Sequence, residues 1–228
     1  MVNVMKMAID DNTVSADNQV TMSSSSYILG TEEGSVKFAV LGNSITRHGP
    51  KPSIGWEHDF GMAASDKEHD YVHLLFKKLT DSGKKVCFFV KQFAVWERNH
   101  TEEYGEFYTD VSEFEPDIIV FRLGENVNRA ADLSVYEAAT EKLLDYIGHG
   151  KAKLVLTTCF WKHEVADDAV RNICKKRGIV PTELNDLGEL PEMKAIGLFE
   201  HSGVAAHPGD LGMENIAERI YKDVMKLL

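Results

Sequence analysis

The stretch Val36-Lys-Phe-Ala-Val-Leu-Gly-Asn-Ser-Ile-Thr-Arg-His-Gly49 decides how the rest of the chain is read. Residues 36–41 are apolar at every position but Lys37, close to the continuous run that marks a strand buried on both faces of a parallel sheet. The run stops at Gly42-Asn43-Ser44. Ligands bind at the carboxyl ends of strands in open α/β sheets, so Ser44 is placed where chemistry usually occurs. A serine after a strand is also a common turn residue or helix N-cap, and this stretch alone leaves both readings open.

Working outward, the pattern repeats. Ser65 and Glu68 have capping-box spacing ahead of Val72, Leu75, Phe76 and Leu79, which share a helical face ending at Gly83. Strands are expected at 86–90, 118–123 and 154–158. A second capping box, Ser134 with Glu137, precedes a helix through Leu143, Leu144 and Ile147. A helix over 165–177 stops at Gly178, and a short fifth strand is expected near Ile179–Val180. The last helix presents Met213, Ile216, Ala217, Ile220, Val224 and Leu227, with Asp210 as its N-cap. Strands alternating with helices imply parallel pairing through crossovers. The expected fold is α/β, a three-layer α/β/α, flavodoxin-like doubly wound parallel sheet of about five strands. Residues 1–26, polar and ending in four serines, are expected to form an arm or a loosely attached edge strand, and 27–228 the domain.

Bulk properties exclude several classes. With 228 residues, one domain with a sizeable core is the simplest organisation. The net charge of −11, unbroken by a lysine-arginine cluster, argues against nucleic acid and anionic membranes. The three cysteines lack metal-type spacing and are odd in number, so neither a zinc site nor a disulfide framework is expected. No membrane-spanning stretch or cleavable leader is evident, and a cytoplasmic location is expected. No glycine-rich phosphate loop follows a strand, and Lys162-His163-Glu164 offers adjacent side chains that cannot easily share one ion. No cofactor and no metal are expected.

The strand ends collect a serine, an asparagine and a histidine from distant positions: Ser44, Asn126 in Gly124-Glu125-Asn126, and His207 in His207-Pro208. Such a set can supply a nucleophile, an oxyanion donor and a general base. Here the chain resembles the SGNH hydrolases, also called GDSL esterases and lipases. The family's Gly-Asp-Ser appears as Gly42-Asn43-Ser44, its Gly-x-Asn-Asp as Gly124-Glu125-Asn126-Val127, and its Asp-x-x-His-Pro as Val204-Ala205-Ala206-His207-Pro208. The resemblance runs from about Val36 to the C-terminus. It implies Ser44 as nucleophile and His207 as base, with the Asn126 amide and the Ser44 N–H in an oxyanion hole at the start of a helix.

Two departures matter. The family's second motif carries a glycine whose N–H is a further oxyanion donor. If Gln92 takes the place of that motif's asparagine, Glu97 takes the glycine's place and donates through its backbone. The triad acid is replaced by Val204, so another carboxylate orients His207, or a backbone carbonyl does, or the site has lost turnover. With a carbonyl in that role, the imidazole should titrate near its unperturbed value of about 6.5.

Trp56, Trp96 and Trp161 all fall in loops assigned to the active rim. Core packing is the ordinary fate of a tryptophan, but three on one rim point to a platform for a sugar ring, with His48, Glu97, Lys162 and His163 adding polar contacts. The expected activity is removal of a short acyl group, such as acetyl, from a carbohydrate or a similar small ester. The alternatives are a general short-chain esterase or thioesterase, and a ligand-binding protein of the same fold.

Overall fold

The structure, a computed structural model, describes residues 26–102 and 105–228. All but the last residue of the expected arm lies outside them. Five strands form one sheet in the order β1-β3-β2-β4-β5: β1 (Ser26–Gly30), β2 (Val36–Gly42), β3 (Val86–Gln92), β4 (Ile118–Arg122) and β5 (Lys153–Leu156). The pairings from β3 across to β5 are all parallel, whereas β1 runs antiparallel on β3. The fifth strand is therefore not the one expected near Ile179–Val180. That segment contributes only an isolated parallel bridge, Thr157 with Thr182. Pro181, which has no N–H to donate, interrupts the run there.

Alternation along β2 splits the interior in two. Phe38 and Val40 join one core with α1 (Tyr71–Asp81) and α7 (Asp210–Met225). Ala39 and Leu41 join the other with α3 (Gly105–Glu113), α4 (Leu133–Gly148) and α5 (Glu164–Arg177). A strand buried on both faces is apolar on both, which is why residues 38–41 lack the period-two pattern of a half-exposed strand, while Lys37 lies at the partly buried start. Two short helices, α2 (Ala94–Arg98) and α6 (Ser202–Ala205), lie in the loops after β3 and before α7.

The helix starts differ from the capping boxes expected. Asp70 caps α1 by accepting from His73 N, and Asp66 caps the short 3-10 turn before it. Asp132 caps α4 by accepting from Ser134 N and Val135 N. In both places an aspartate outcompetes the serine, and Glu137 instead turns inward to bond Asn172 and Lys176. Asp210 is the first residue of α7 rather than its cap, and its carboxylate accepts from Ser65 N at 2.8 Å. Among the described residues, no helix is long and apolar enough to cross a membrane.

The chain leaves β2 for β3 on one side and reaches β4 on the other. Ser44 follows β2 at this reversal of strand order, the crevice where open α/β sheets bind ligands.

Candidate active site

Ser44 sits in a single tight turn, not at the start of a helix: Thr46 N and Arg47 N both donate to the Asn43 carbonyl, at 2.9 and 3.0 Å. Gly42 is required there, because a Cβ would lie 1.7 Å from Thr46 Oγ1. Ser44 is half-buried, its carbonyl accepts from Met62 N at 2.8 Å, and no acceptor takes its N–H among the described residues.

His207 reaches Ser44 from the loop before α7. Its Nε2 lies 2.9 Å from Ser44 Oγ, and its Nδ1 lies 2.7 Å from the Gly203 carbonyl. A carbonyl only accepts, so Nδ1 carries the proton and the Nε2 lone pair faces the serine hydroxyl. The Gly203 carbonyl thus occupies the place of the missing acid, one residue before Val204. Val204 itself is fully buried with Trp56, Met62, Ala63 and Ala195. The valine anchors the histidine loop through packing instead of orienting the ring through charge. Glu200 is exposed, Asp210 is spent on Ser65, and neither bonds His207.

The imidazole is held down to about 4, first by burial and then by the nearby His48, Arg122 and His201 side chains; the Gly203 bond opposes this only in part. This corrects the expectation of a value near 6.5. Without a full negative charge at Nδ1, the Gly203 bond alone does not offset desolvation.

Below the nucleophile lies a buried polar layer that ties the strand ends together. Arg122, fully buried at the end of β4, forks onto both Glu125 oxygens at 2.8 and 2.9 Å and donates to Asn43 Oδ1 at 2.6 Å. Glu125 also accepts from Phe160 N, at 2.9 Å, and from Asn43 Nδ2, at 2.6 Å. Glu97, also fully buried, accepts from Gly124 N at 2.5 Å, Asn43 Nδ2 at 3.0 Å and Asn126 Nδ2 at 2.6 Å. Burial, together with the Glu125 charge, raises the Glu97 carboxyl above the usual range. Gly124 reaches its place with φ +142°, and a Cβ there would lie 2.5 Å from Cys159 Sγ. Replacing a buried ion set by apolar residues is often neutral or stabilises by about 1–4 kcal/mol. A gain in stability is therefore a weak explanation for these three charged residues.

Two expectations are corrected here. The Glu97 N–H is not an oxyanion donor, because it is spent on the Phe93 carbonyl at 3.0 Å inside α2. The three-tryptophan platform does not exist. Trp56 is fully buried, donating from Nε1 to the His48 carbonyl, and Trp96 is 2% exposed in the core against Phe121 and Tyr136. Trp161 alone remains at the rim, half-buried and edge-on to His207 with ring centroids 5.1 Å apart. His48 is half-buried close enough to His207 to lower its basicity, with its own Nδ1 on the Gly49 carbonyl. Lys162 is exposed, whereas His163 is buried and caps α5. Sequence reasoning missed Arg122. The available signal was a charged residue closing the apolar strand Ile118–Phe121, three positions before a glutamate. Among the described residues, no group of three His, Cys, Asp or Glu side chains could hold a metal.

Comparison with solved structures bears on the fold. The psychrotrophic esterase EstA from Pseudoalteromonas sp. superposes with a TM-score of 0.59 at 12% identity, over 84% of this chain and 98% of that one. A mutant of the acetyl-xylooligosaccharide esterase Axe2 from Geobacillus Stearmophilus gives 0.55 at 18% over 84% and 95%. The chain has the fold of these esterases. The acetyl xylan esterase AlAXEase gives 0.53 at 17% over 83% and 100%. No family model matches the chain, and no curated protein matches its sequence.

Proposed function

We propose that the chain is a serine esterase of the SGNH type that removes a short acyl group, acetyl above all, from a carbohydrate or similar small substrate through an acyl-enzyme on Ser44. The observation that carries this reading is the 2.9 Å approach of Ser44 Oγ to a His207 whose other nitrogen is held by a backbone carbonyl.

In this mechanism Ser44 Oγ attacks the ester carbon while its proton passes to His207 Nε2. The developing oxyanion takes hydrogen bonds from the Ser44 N–H and the Asn126 amide. The C–O bond breaks, and the alcohol leaves with the proton from Nε2. Water then attacks the acyl-enzyme, with Nε2 taking its proton, and the carboxylic acid is released as Ser44 recovers its hydrogen. The sugar part of the reading draws on Trp161 beside His207 and on the acetyl-xylan and acetyl-xylooligosaccharide esterases that share the fold.

Hydrolysis of p-nitrophenyl acetate and of an acetylated xylo-oligosaccharide tests the proposal. Turnover of both supports it. Binding of the sugar without release of acetate would favour the ligand-binding alternative that Val204 keeps in play. Trp161→Ala is expected to lower kcat/KM for the sugar ester about tenfold more than for p-nitrophenyl acetate, since loss of a stacking wall costs on the order of 1 kcal/mol. Equal losses on both substrates would reduce Trp161 to packing.

The pH profile follows from His207. The ring must be neutral to accept a proton, so activity is lost as pH falls through its folded value. With that value at about 4, kcat/KM is expected to stay level from neutral pH to about 5.5 and to fall below that. Initial rates, with circular dichroism at each pH to confirm folding, measure this. Half-maximal activity near pH 6.5 would show that the ring is not desolvated in the working enzyme.

A further inference from the structure

Glu97 stands out because a carboxylate buried beneath an oxyanion hole is electrostatically unhelpful unless its position does something else. Its backbone is committed to α2, so any role belongs to the side chain. Three donors meet it, and each comes from a different part of the proposed machinery. Asn126 Nδ2 lies on Oε2 at 2.6 Å, and Gly124 N and Asn43 Nδ2 lie on Oε1 at 2.5 and 3.0 Å. Asn126 is the proposed oxyanion donor, Gly124 precedes it by two residues, and Asn43 directly precedes Ser44.

We infer that Glu97 is a positioning residue that selects the working orientation of the Asn126 amide and locks it to the nucleophile turn. The inference rests on the serine-esterase reading above. An amide can present either its oxygen or its NH₂ end, and only the NH₂ end stabilises an oxyanion. Three N–H donors already converge on the two Glu97 oxygens, so the carboxyl presents acceptors here, takes the NH₂ end of the amide and rejects its oxygen. One Nδ2 hydrogen is then spent on Glu97 and the other is left for the substrate. The opposite end of the amide is fixed in the same sense, because Arg98 Nη2 donates to Asn126 Oδ1 at 3.3 Å. Asn43 links this carboxyl to the buried Arg122, whose guanidinium donates to Asn43 Oδ1 and forks onto Glu125. The glutamate side chain thus does through positioning what its backbone was expected to do through direct donation.

Glu97→Gln isolates the effect. With its oxygen kept on Gly124 N and Asn43, a glutamine turns its own NH₂ toward Asn126, and two donors face each other until the Asn126 amide flips. On p-nitrophenyl acetate, kcat is expected to fall about 10²–10³-fold with KM little changed, the loss typical of one oxyanion donor. Asn126→Ala should lose a similar factor, and the double variant no more than Asn126→Ala alone, because both changes remove the same donor. A purely structural role would instead multiply the two losses or lower the melting temperature at unchanged kcat per folded molecule. Either result would overturn the inference, as would a Glu97→Gln kcat within about threefold of wild type. Should Glu97→Gln not fold, Glu97→Asp keeps the charge but withdraws the carboxylate by one methylene. The same non-additive loss is expected of it, and a wild-type kcat would sink the idea. Ser44→Ala measured alongside separates the two failures. If it is inactive while Glu97→Gln is fully active, only this inference fails; if it is active, the esterase mechanism itself fails.

Discussion

Ser44→Ala is expected to fold as the wild type does and to lose ester hydrolysis almost entirely, with kcat falling on the order of 10⁶-fold. The side chain makes one hydrogen bond, to His207 Nε2, so its removal costs about 1 kcal/mol of stability at most. The turn itself is held by backbone bonds from Thr46, Arg47 and Met62, which alanine preserves. The chemistry has no substitute, because the remaining donors can stabilise an oxyanion but cannot form an acyl intermediate. Steady-state rates on p-nitrophenyl acetate with a matched thermal melt measure both halves of the expectation. A raised KM at unchanged kcat would make Ser44 a substrate contact and not the nucleophile.

The second large effect concerns the base. His207→Gln is expected to lower kcat by roughly 10⁵–10⁶, since a serine hydroxyl without a base is a poor nucleophile near neutrality. Glu200→Gln and Asp210→Asn should each stay within about threefold of wild type, because neither carboxylate reaches the imidazole and the Gly203 carbonyl already fixes its tautomer. In a full triad the acid also stabilises the imidazolium, and replacing it by its amide costs about 10⁴, largely through the wrong tautomer. A carbonyl at Nδ1 imposes the right tautomer without the charge, so the dyad keeps its orientation but has a less basic ring. A fall of about 10³ or more in a folded Glu200→Gln or Asp210→Asn variant would mean that a displaced carboxylate completes a triad after all.

Much of the architecture was legible because it rests on one-dimensional signals. The mostly apolar run at 36–41 and the helical periodicity of 213–224 are patterns along the chain, and such patterns survive translation into sheet and helix. An edge strand was among the readings up to Ser26, but the place and direction of β1 were not legible, since an edge strand needs only one good face and Ser26–Gly30 carries little pattern. The capping aspartates were missed because capping-box serines stood nearby and the competition is settled by local geometry.

The candidate site divides along the same line. Ser44 and Asn126 sit in short motifs just after β2 and β4, and His207 in a short motif in the loop before α7 that reaches Ser44. A carbonyl near Val204 could be anticipated in place of an acid, because an imidazole Nδ1–H buried beside a valine must find some acceptor. The tryptophans were misjudged because loop position says nothing about burial. Trp56 lies in a long insertion that folds back on itself through the His48–Phe60 and Lys51–Trp56 bridges and makes a small core of its own. The Glu97 side chain was out of reach too, since its partners Asn43, Gly124 and Asn126 lie far from it in the chain and meet it only through the fold.

The most direct measurement is covalent capture of the nucleophile. Wild-type protein incubated with a serine-directed phosphonate ester and examined by intact mass and peptide mapping should gain a single adduct, on Ser44, with loss of esterase activity in step with labelling. The same reagent should leave Ser44→Ala unmodified and label His207→Gln far more slowly. An adduct on any other residue, or full hydrolysis of p-nitrophenyl acetate by protein that takes up no phosphonate, would contradict the account.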